Sequence, residues 1–314
     1  MTPDITLVEV SPRDGLQNEK TRVSTADKCA LIQRALRSGA RRIEAVSFVN
    51  PKAVPQMADA EDVMSCLRNE IGVTESGVSL AGLVVNSRGL DRALEAGVNE
   101  VNLVVIASET FNLRNQGVSR QQTLTGFEQA VRAAHAEGVS ATITIGAAWG
   151  CPFEGEVPVE QVTRLAEAAA SLGADEIALA DTIGVGDPVS VELRLGAVRS
   201  VVGHLPLRCH FHDTRNTGLA NAYAAWRSGV RVLDASIGGI GGCPFAPAAT
   251  GNIATEDACY MFERMGVSVG LDLEQVRETA GWLEQAVLAK PVPSAVLKAG
   301  GFPAFARQAP SKCM

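Results

Sequence analysis

The chain has 314 residues, of which 46% are hydrophobic and 20% charged, and its formal net charge is −7 at pH 7. This composition is typical of a globular protein and excludes the disordered and fibrous classes. The acidic balance argues against a nucleic-acid-binding protein, because such proteins usually present a basic face. An anionic substrate would therefore need local positive charge from a cation or a few arginines.

No apolar run reaches the roughly 20 residues that a membrane-spanning helix needs. The N-terminus has neither the basic and apolar segments of a secretory signal nor an Arg-rich transit sequence. The seven cysteines are scattered and contain no CxxC pair, which favours a reduced protein over a disulfide framework. We therefore expect a cytoplasmic protein that has no membrane partner.

Short apolar runs alternate with longer helical patterns along the chain, which is typical of βα units around a parallel sheet. Glycines follow five of the helical patterns at the position of a C-cap, namely Gly39, Gly97, Gly138, Gly173 and Gly229. The predicted helices include residues 24–38, 120–136, 159–172 and 219–228. The eight predicted strands are residues 5–10, 42–48, 78–85, 100–107, 141–147, 176–181, 207–212 and 232–237.

Eight such units predict an α/β fold, a (β/α)8 TIM barrel with extra C-terminal helices. An open doubly wound sheet is the alternative, and it is disfavoured because no GxGxxG follows the first strand. We expect residues 1–268 to form the catalytic barrel domain. Residues 269–314 would form a helical appendage beside it, with an amphipathic helix over 271–288 and a short one over 294–299.

The active site of a barrel lies at the carboxyl ends of its strands, so polar residues there are the candidates. Arg13 and Asp14 follow the first strand, and they supply a fixed cation and a carboxylate ligand or base. The alternative is a local surface pair within a turn. Glu44 lies within the second, apolar strand, where an unpaired carboxylate would be costly, and Arg13 is its expected partner.

His210 and His212 end the seventh strand. Side chains two residues apart on a strand share a face, so both imidazoles are expected to point toward the barrel mouth. Neutral imidazole is a common metal ligand, and this pair therefore predicts a metal site. The other two histidines, His135 and His204, are expected to be surface or packing residues.

A glycine-rich loop follows the eighth strand and carries Cys243. We expect either a mobile loop that brings this cysteine to the site or an inert cysteine on a tight turn. Asn252, nine residues later, is either a helix N-cap or an amide ligand to a hard cation. Asp181 ends the sixth strand, where helix capping is the alternative to a role in the site.

One carboxylate, two imidazoles and an amide oxygen suit Mg²⁺ or Mn²⁺ better than a closed structural zinc site. Zn²⁺ is therefore the second choice for this divalent cation.

Several motifs together resemble those of the 3-hydroxy-3-methylglutaryl-CoA lyase family, which is related to isopropylmalate and homocitrate synthases. They are VEVSPRDGLQNEK from Val8, SFVNPK from Ser47, CPFEG from Cys151 and DTIGVG from Asp181. The strongest is SIGGIGGCPF from Ser236, which continues to the segment GNIATED from Gly251. The likeness covers about residues 4 to 290, with isoleucine at 240 where leucine is usual.

The resemblance implies that Asp14, His210, His212 and Asn252 bind the divalent cation. It further implies that Arg13 binds the acyl-CoA carbonyl, that Cys243 is catalytic, and that Glu44 and Asp181 support the site. The implied reaction cleaves 3-hydroxy-3-methylglutaryl-CoA to acetyl-CoA and acetoacetate by a retro-Claisen or retro-aldol step. Asp14 would act as base, His210 as acid, and Arg13 would stabilise the enolate.

One motif departs from the family, because Arg215-Asn216-Thr217 follows His212-Asp213-Thr214. The substrate could therefore be a related 3-hydroxy diacyl-CoA such as citramalyl-CoA. A Claisen-condensing synthase of the same superfamily is a second alternative, and a metal-binding scaffold without turnover is a third. The expected partner is a small-molecule acyl-CoA, and a homodimer is one option for the assembly.

Overall fold

The computed structural model describes residues 3–71, 77–243, 246–300 and 302, with residues 69–71, 243 and 246–250 described by their backbone alone. Within this part of the chain, eight parallel strands close into a barrel in the order β1-β10-β9-β8-β5-β4-β3-β2. The barrel strands are β1 (Thr6–Glu9), β2 (Arg42–Ser47), β3 (Ser79–Val84), β4 (Glu100–Ile106), β5 (Ser140–Gly146), β8 (Glu176–Asp181), β9 (Leu207–Phe211) and β10 (Val232–Ala235). Two short hairpins, β6 (Gly150–Cys151) with β7 (Gly155–Glu156) and β11 (Gly242–Cys243) with β12 (Ala246–Thr250), lie outside the barrel.

The described helices follow the strands around the barrel. They are α1 (Thr25–Arg37), α2 (Ala60–Ile71), α3 (Ser87–Ala96), α4 (Glu109–Gln116), α5 (Arg120–Ala136), α6 (Val159–Ser171), α7 (Pro188–Val202), α8 (Gly218–Arg227), α9 (Thr255–Arg264), α10 (Leu273–Trp282) and α11 (Ala295–Ala299). Side-chain caps explain several of their starts. Ser119 and Gln122 form a capping box on α5, and the Asp187 carboxylate accepts backbone N–H bonds at the start of α7.

The predicted TIM barrel is confirmed, and each predicted strand overlaps an observed one. All five predicted C-cap glycines have positive φ, between 71° and 104°, where a side chain would be strained. The long helix expected over residues 271–288 is α10, which continues as a π-helical turn over Leu283–Leu288. No described helix is both long and apolar enough to span a bilayer. The boundary at residue 268 stays a prediction.

The barrel interior carries charged side chains as well as apolar ones. Side chains two residues apart along a strand point to the same face of the sheet. The lower layer of side chains inside the barrel includes Arg42, Glu100, Glu176 and Arg208. The Arg42 guanidinium donates at 2.6 Å to Glu100 and to Glu176, and both carboxylates are buried. This pairing offsets the cost of burying two carboxylates, so Arg42 fixes the base of the barrel.

Replacing Arg42 with methionine should destabilise the fold strongly, because Glu100 and Glu176 would be left buried without their principal cation. We expect the free energy of unfolding to fall by about 3 to 5 kcal/mol, measured by urea denaturation. Arg132→Met, which removes an exposed ion pair with Glu128, is the control and should change stability by less than about 1 kcal/mol. Equal losses in the two variants would contradict the assignment.

Candidate metal centre and active site

A cavity of about 390 Å³ opens at the carboxyl ends of the barrel strands. Its lining contains both ionisable and apolar or amide side chains. The ionisable ones are Arg13, Asp14, His210, His212 and Asp234; the others include Asn102, Thr144, Leu83, Val85, Val104, Ile106, Phe111, Asn50, Asn86 and Asn115. This combination of a few convergent polar groups and an apolar wall is typical of a small-molecule site.

Arg13 and Asp14 lie on a π-helical turn, Ser11–Gly15, that follows β1 directly. Pro12 is the second residue of this turn, where its missing N–H costs little. Gly15 is the last residue of this turn and packs closely against the Gly-rich loop. A Cβ at this position would lie 2.8 Å from the Ile240 side chain. Single π-helical turns are often found at functional sites, and this one holds two charged side chains at the cavity.

The Arg13 guanidinium is held by two carboxylates. Its Nη1 donates to Asp14 at 2.8 Å, and its Nη2 donates to the fully buried Glu44 at 2.6 Å. These two carboxylates raise the pKa of Arg13 although burial opposes them, so the guanidinium stays charged. The predicted Arg13–Glu44 pair is therefore present, and Arg13 is a fixed cation in the cavity wall.

His210 and His212 lie on one face of the end of β9, with ring centroids 5.1 Å apart. Both are buried, and His210 Nδ1 lies 2.9 Å from an Asp234 carboxylate oxygen. Asp234 is held in turn by Arg208 Nε. Since Nδ1 is engaged by Asp234, Nε2 is the nitrogen of His210 that is free for a ligand.

Asn252 meets Asp14 from the opposite end of the chain. Its Nδ2 donates to Asp14 Oδ2 at 2.8 Å and to the Ile240 carbonyl at 3.0 Å. Helix α9 begins after Ala254, so Asn252 is not its N-cap. Gly241 has φ +136°, and a Cβ there would lie 2.5 Å from Asn252 Nδ2. Glycine is thus required at 241 for the amide to approach Asp14.

These residues fit a metal ion. Ligand atoms of Asp14, His210 and His212 all lie within 4.8 Å of one another. Two further polar atoms at the same place, His212 Nδ1 and Asn252 Oδ1, are buried and have no hydrogen-bond partner among the described residues. Buried polar atoms are normally satisfied, so this cluster of mixed oxygen and nitrogen donors indicates a cation site.

The ionisation states of Asp14 and His212 also favour a cation at this cluster. Burial alone would raise the pKa of Asp14, but Arg13 and the two histidines lower it below its ordinary value, so the carboxylate is ionised. Burial and the neighbouring His210 lower the pKa of His212 to about 4, which leaves a neutral imidazole at pH 7. A carboxylate binds a metal ion in its ionised form and an imidazole in its neutral form, and Asp14 and His212 meet these conditions.

The glycine-rich loop forms the rim of the cavity at Gly242. The Gly242 carbonyl accepts a 2.7 Å hydrogen bond from Asn18 Nδ2, so the loops after β1 and β10 are joined. Both Glu256 carboxylate oxygens accept from Gly238 N–H at 3.1 Å. The side chain of Cys243 lies outside the described residues, and its catalytic role stays a prediction.

Asp181 and Arg215 both hydrogen-bond to the backbone of residues 183–186, which follow β8. Asp181 is buried, and its carboxylate accepts from the backbone N–H groups of Val185 and Gly186 at 3.0 and 2.8 Å, so it braces a turn and caps no helix. Arg215 Nη1 donates to the carbonyls of Ile183 and Gly184 at 3.0 and 2.8 Å. Among the described residues that line the cavity, Arg215 is not present.

Sequence reasoning missed Asp234, Asn102 and Thr144. The signal for Asp234 was available, because it is an ionisable residue inside an apolar strand, as Glu44 is. The argument that an isolated buried carboxylate is costly applies to both. Asn102 and Thr144 carried no comparable signal, since uncharged polar residues are common in strands.

Asp234→Asn should weaken divalent-cation binding, because the carboxylate that fixes the His210 ring would be replaced by a neutral amide. Loss of such a supporting carboxylate typically costs 10- to 100-fold in affinity, and we expect a change of about this size in the Kd for Mn²⁺. Isothermal titration calorimetry measures it directly. Asp187→Asn, at the exposed N-cap of α7, serves as the control, and an unchanged Kd in Asp234→Asn would refute the role.

Glu256 should make the stability of the fold depend on pH. Burial raises the pKa of Glu256 from 4.5 to about 8, so between these values the folded protein retains a proton that the unfolded chain has released. The free energy of unfolding then decreases as pH rises through this window, by about 1.4 kcal/mol per pH unit from this group. Glu256→Gln should lose less stability than the wild type between pH 5 and 8 in urea denaturation. The exposed Glu278→Gln is the control, and parallel curves for wild type and Glu256→Gln would rule out this effect.

Most of the chain matches known proteins. Residues 4–282 match the HMGL-like family model. The chain is 42% identical over 290 residues to hydroxymethylglutaryl-CoA lyase YngG of Bacillus subtilis (strain 168), with 92% of this chain and 95% of that one covered. It is also 42% identical over 301 residues to (R)-citramalyl-CoA lyase of Chloroflexus aurantiacus, with 94% and 95% covered.

A solved HMG-CoA lyase from Acinetobacter baumannii, in complex with coenzyme A and 3-methylmalate, has a TM-score of 0.89 and 41% identity to this chain. The superposition covers 95% of this chain and 96% of that one. Sequence and structure therefore agree over nearly the full length of the described barrel, and the chain belongs to the HMGL-like family.

Proposed function

We propose that this protein is a divalent-metal-dependent carbon–carbon lyase that cleaves 3-hydroxy-3-methylglutaryl-CoA to acetyl-CoA and acetoacetate. The observation that carries this proposal is the cluster of Asp14, His210 and His212, with donor atoms within 4.8 Å, beside the fixed Arg13 cation in one cavity. Relatives named as hydroxymethylglutaryl-CoA lyases, 42% identical in one case, support the choice of substrate.

Asp14, His210, His212 and Asn252 would hold the cation, which we propose is Mg²⁺ or Mn²⁺. When bound, the ion supplies Lewis-acid polarisation of substrate hydroxyl and carboxylate oxygens. Two nitrogen and two oxygen donors without a thiolate favour these hard ions over a closed zinc site. The two buried, unpartnered atoms of His212 and Asn252 support the assignment.

Each bond change of the cleavage reaction requires a particular group of the protein. The hydroxyl proton on C3 passes to a base, the C3–O bond becomes a carbonyl as the C2–C3 bond breaks, and the electron pair moves to the thioester as an enolate. Asp14 is ionised and is the proposed base, directly or through water. Arg13, fixed by Asp14 and Glu44, stabilises the developing charge on the thioester oxygen.

The enolate carbon finally takes up a proton to become the methyl group of acetyl-CoA. His210 was the predicted donor, but its Nδ1 is engaged by Asp234, so its Nε2 can either bind the cation or carry a proton. We propose the ligand role for His210. Cys243, next to the cavity residue Gly242, keeps its predicted catalytic role as part of this proposal.

A second candidate substrate is citramalyl-CoA, because an (R)-citramalyl-CoA lyase is as similar to this chain as the hydroxymethylglutaryl-CoA lyase. The two substrates differ by one methylene, and the second would release pyruvate in place of acetoacetate. Arg215 donates to two backbone carbonyls and is not among the described residues that line the cavity, so it offers no direct contact that would favour either acid. We propose a cytoplasmic location, which is supported by the scattered cysteines of the sequence.

A panel of 3-hydroxy acyl-CoAs assayed with Mg²⁺ or Mn²⁺ tests the proposal, with acetoacetate and pyruvate measured as separate products. We expect 3-hydroxy-3-methylglutaryl-CoA to be cleaved and EDTA to abolish the reaction. Asp14→Ala should reduce kcat by at least about 100-fold and weaken Mn²⁺ binding, since it removes the base and a ligand. Asp62→Ala on the exposed face of α2 is the control.

Cleavage of no member of the panel would overturn the lyase proposal. Release of free CoA from acetyl-CoA and a 2-oxo acid would indicate the condensing reaction. Full activity of Asp14→Ala would overturn the roles assigned to the site.

A further inference from the structure

Among the described residues, Glu44 has two hydrogen-bond partners. One is Arg13, and the other is Asn102, whose Nδ2 donates to Glu44 Oε1 at 3.0 Å. Asn102 is braced from the next strand, because the Thr144 hydroxyl donates to its Oδ1 at 2.7 Å. Neither Asn102 nor Thr144 belongs to the cation cluster.

These contacts form a continuous chain along the cavity wall, Thr144–Asn102–Glu44–Arg13–Asp14. Glu44 and Asn102 are 0% and 3% exposed, so water does not replace a lost partner easily. Asn102 and Thr144 also line the cavity that Arg13 and Asp14 line. The pair therefore determines how the Glu44 carboxylate is oriented toward Arg13.

We propose that Asn102, braced by Thr144, is a positioning residue of the lyase reaction that fixes the plane of the Arg13 guanidinium through Glu44. The inference rests on the proposed function. Two of the three Arg13 nitrogens are engaged by carboxylates, and the third, Nε, is buried without a partner among the described residues. A rotation of Glu44 would turn this guanidinium away from the position where it meets developing negative charge.

This arrangement separates two functions within one cavity. Residues of β2, β4 and β5 orient the Arg13 guanidinium. Residues of β9 and β10 orient His210, a proposed ligand of the divalent metal ion, through Asp234. Asp14 keeps a second partner in Asn252, so a change at Asn102 should affect the rate of bond cleavage much more than cation binding. Because interactions realised in the transition state affect kcat, the effect should appear there more than in KM.

Asn102→Leu is the principal test, since leucine has a similar shape and neither donates nor accepts. We expect kcat to fall by about 10- to 100-fold, as for loss of a buried partner of a charged group, with KM and the Kd for Mn²⁺ changed by less than about threefold. Thr144→Val keeps the shape of threonine and should lower kcat by about 3- to 10-fold. Thr144→Ser, which retains the hydroxyl, should recover most of that loss.

Thr142→Val is the matched control. Thr142 lies two residues earlier on the same strand and face, and its hydroxyl donates to Glu100 at 3.1 Å in the lower layer of the barrel. Its hydrogen-bond partners among the described residues are Arg42, Glu100 and Glu176, so kcat should stay within about twofold of the wild type.

A double-mutant cycle shows whether Asn102 acts through Arg13. In an Arg13→Gln background, Asn102→Leu should cost less than about threefold in kcat, because the group that it positions is already gone. An undiminished cost in that background would overturn the inference, as would wild-type kcat in Asn102→Leu or a loss confined to Mn²⁺ affinity. A wild type that cleaves no acyl-CoA would overturn the proposed function and this inference together, whereas an active wild type with an unimpaired Asn102→Leu overturns the inference alone.

Discussion

The Arg13–Glu44 ion pair joins the turn after β1 to the interior of β2, and the geometry of the cavity depends on it. Arg13 lies between Glu44 at 2.6 Å and Asp14 at 2.8 Å, so one guanidinium fixes both carboxylates. The Asp14 carboxylate also accepts a hydrogen bond from Asn252, and this contact holds the segment after the glycine-rich loop at the mouth of the cavity. A buried charge of this kind is stable only with its partners in place, and the same requirement orders the residues that would act on substrate.

The same rule governs the barrel below the site. Arg42 pairs with Glu100 and Glu176, Arg208 pairs with Asp234, and Asp234 reaches His210 at the mouth. The end of β9 that carries His210 is thus supported by side chains that pack inside the barrel and are shielded from water. Supporting contacts on barrel strands place functional groups more accurately than loops can, so the charged side chains of the cavity wall are held in fixed positions beside its glycine-rich rim.

The sequence predicted the barrel because alternating strands, helices and capping glycines are local signals, and every predicted strand overlaps an observed one. His210 and His212 were predictable from strand periodicity alone, and Glu44 from the cost of an isolated buried carboxylate. Asn252 was not predictable from local pattern, since its approach to Asp14 depends on a contact across 238 positions. Asn102 and Thr144 were missed for the same reason: their meaning comes from neighbours on other strands.

Asp14 follows the first strand and Asn252 follows the last, and β1 closes the barrel by pairing with β10 from Thr6↔Val232 to Glu9↔Ala235. During synthesis the chain emerges from its N-terminus, so β1 must wait for almost the whole barrel before it gains this neighbour. The proposed cation site is complete only when the two ends of the barrel sequence meet. A cation bound there would therefore stabilise the closed ring of strands relative to any partly folded chain.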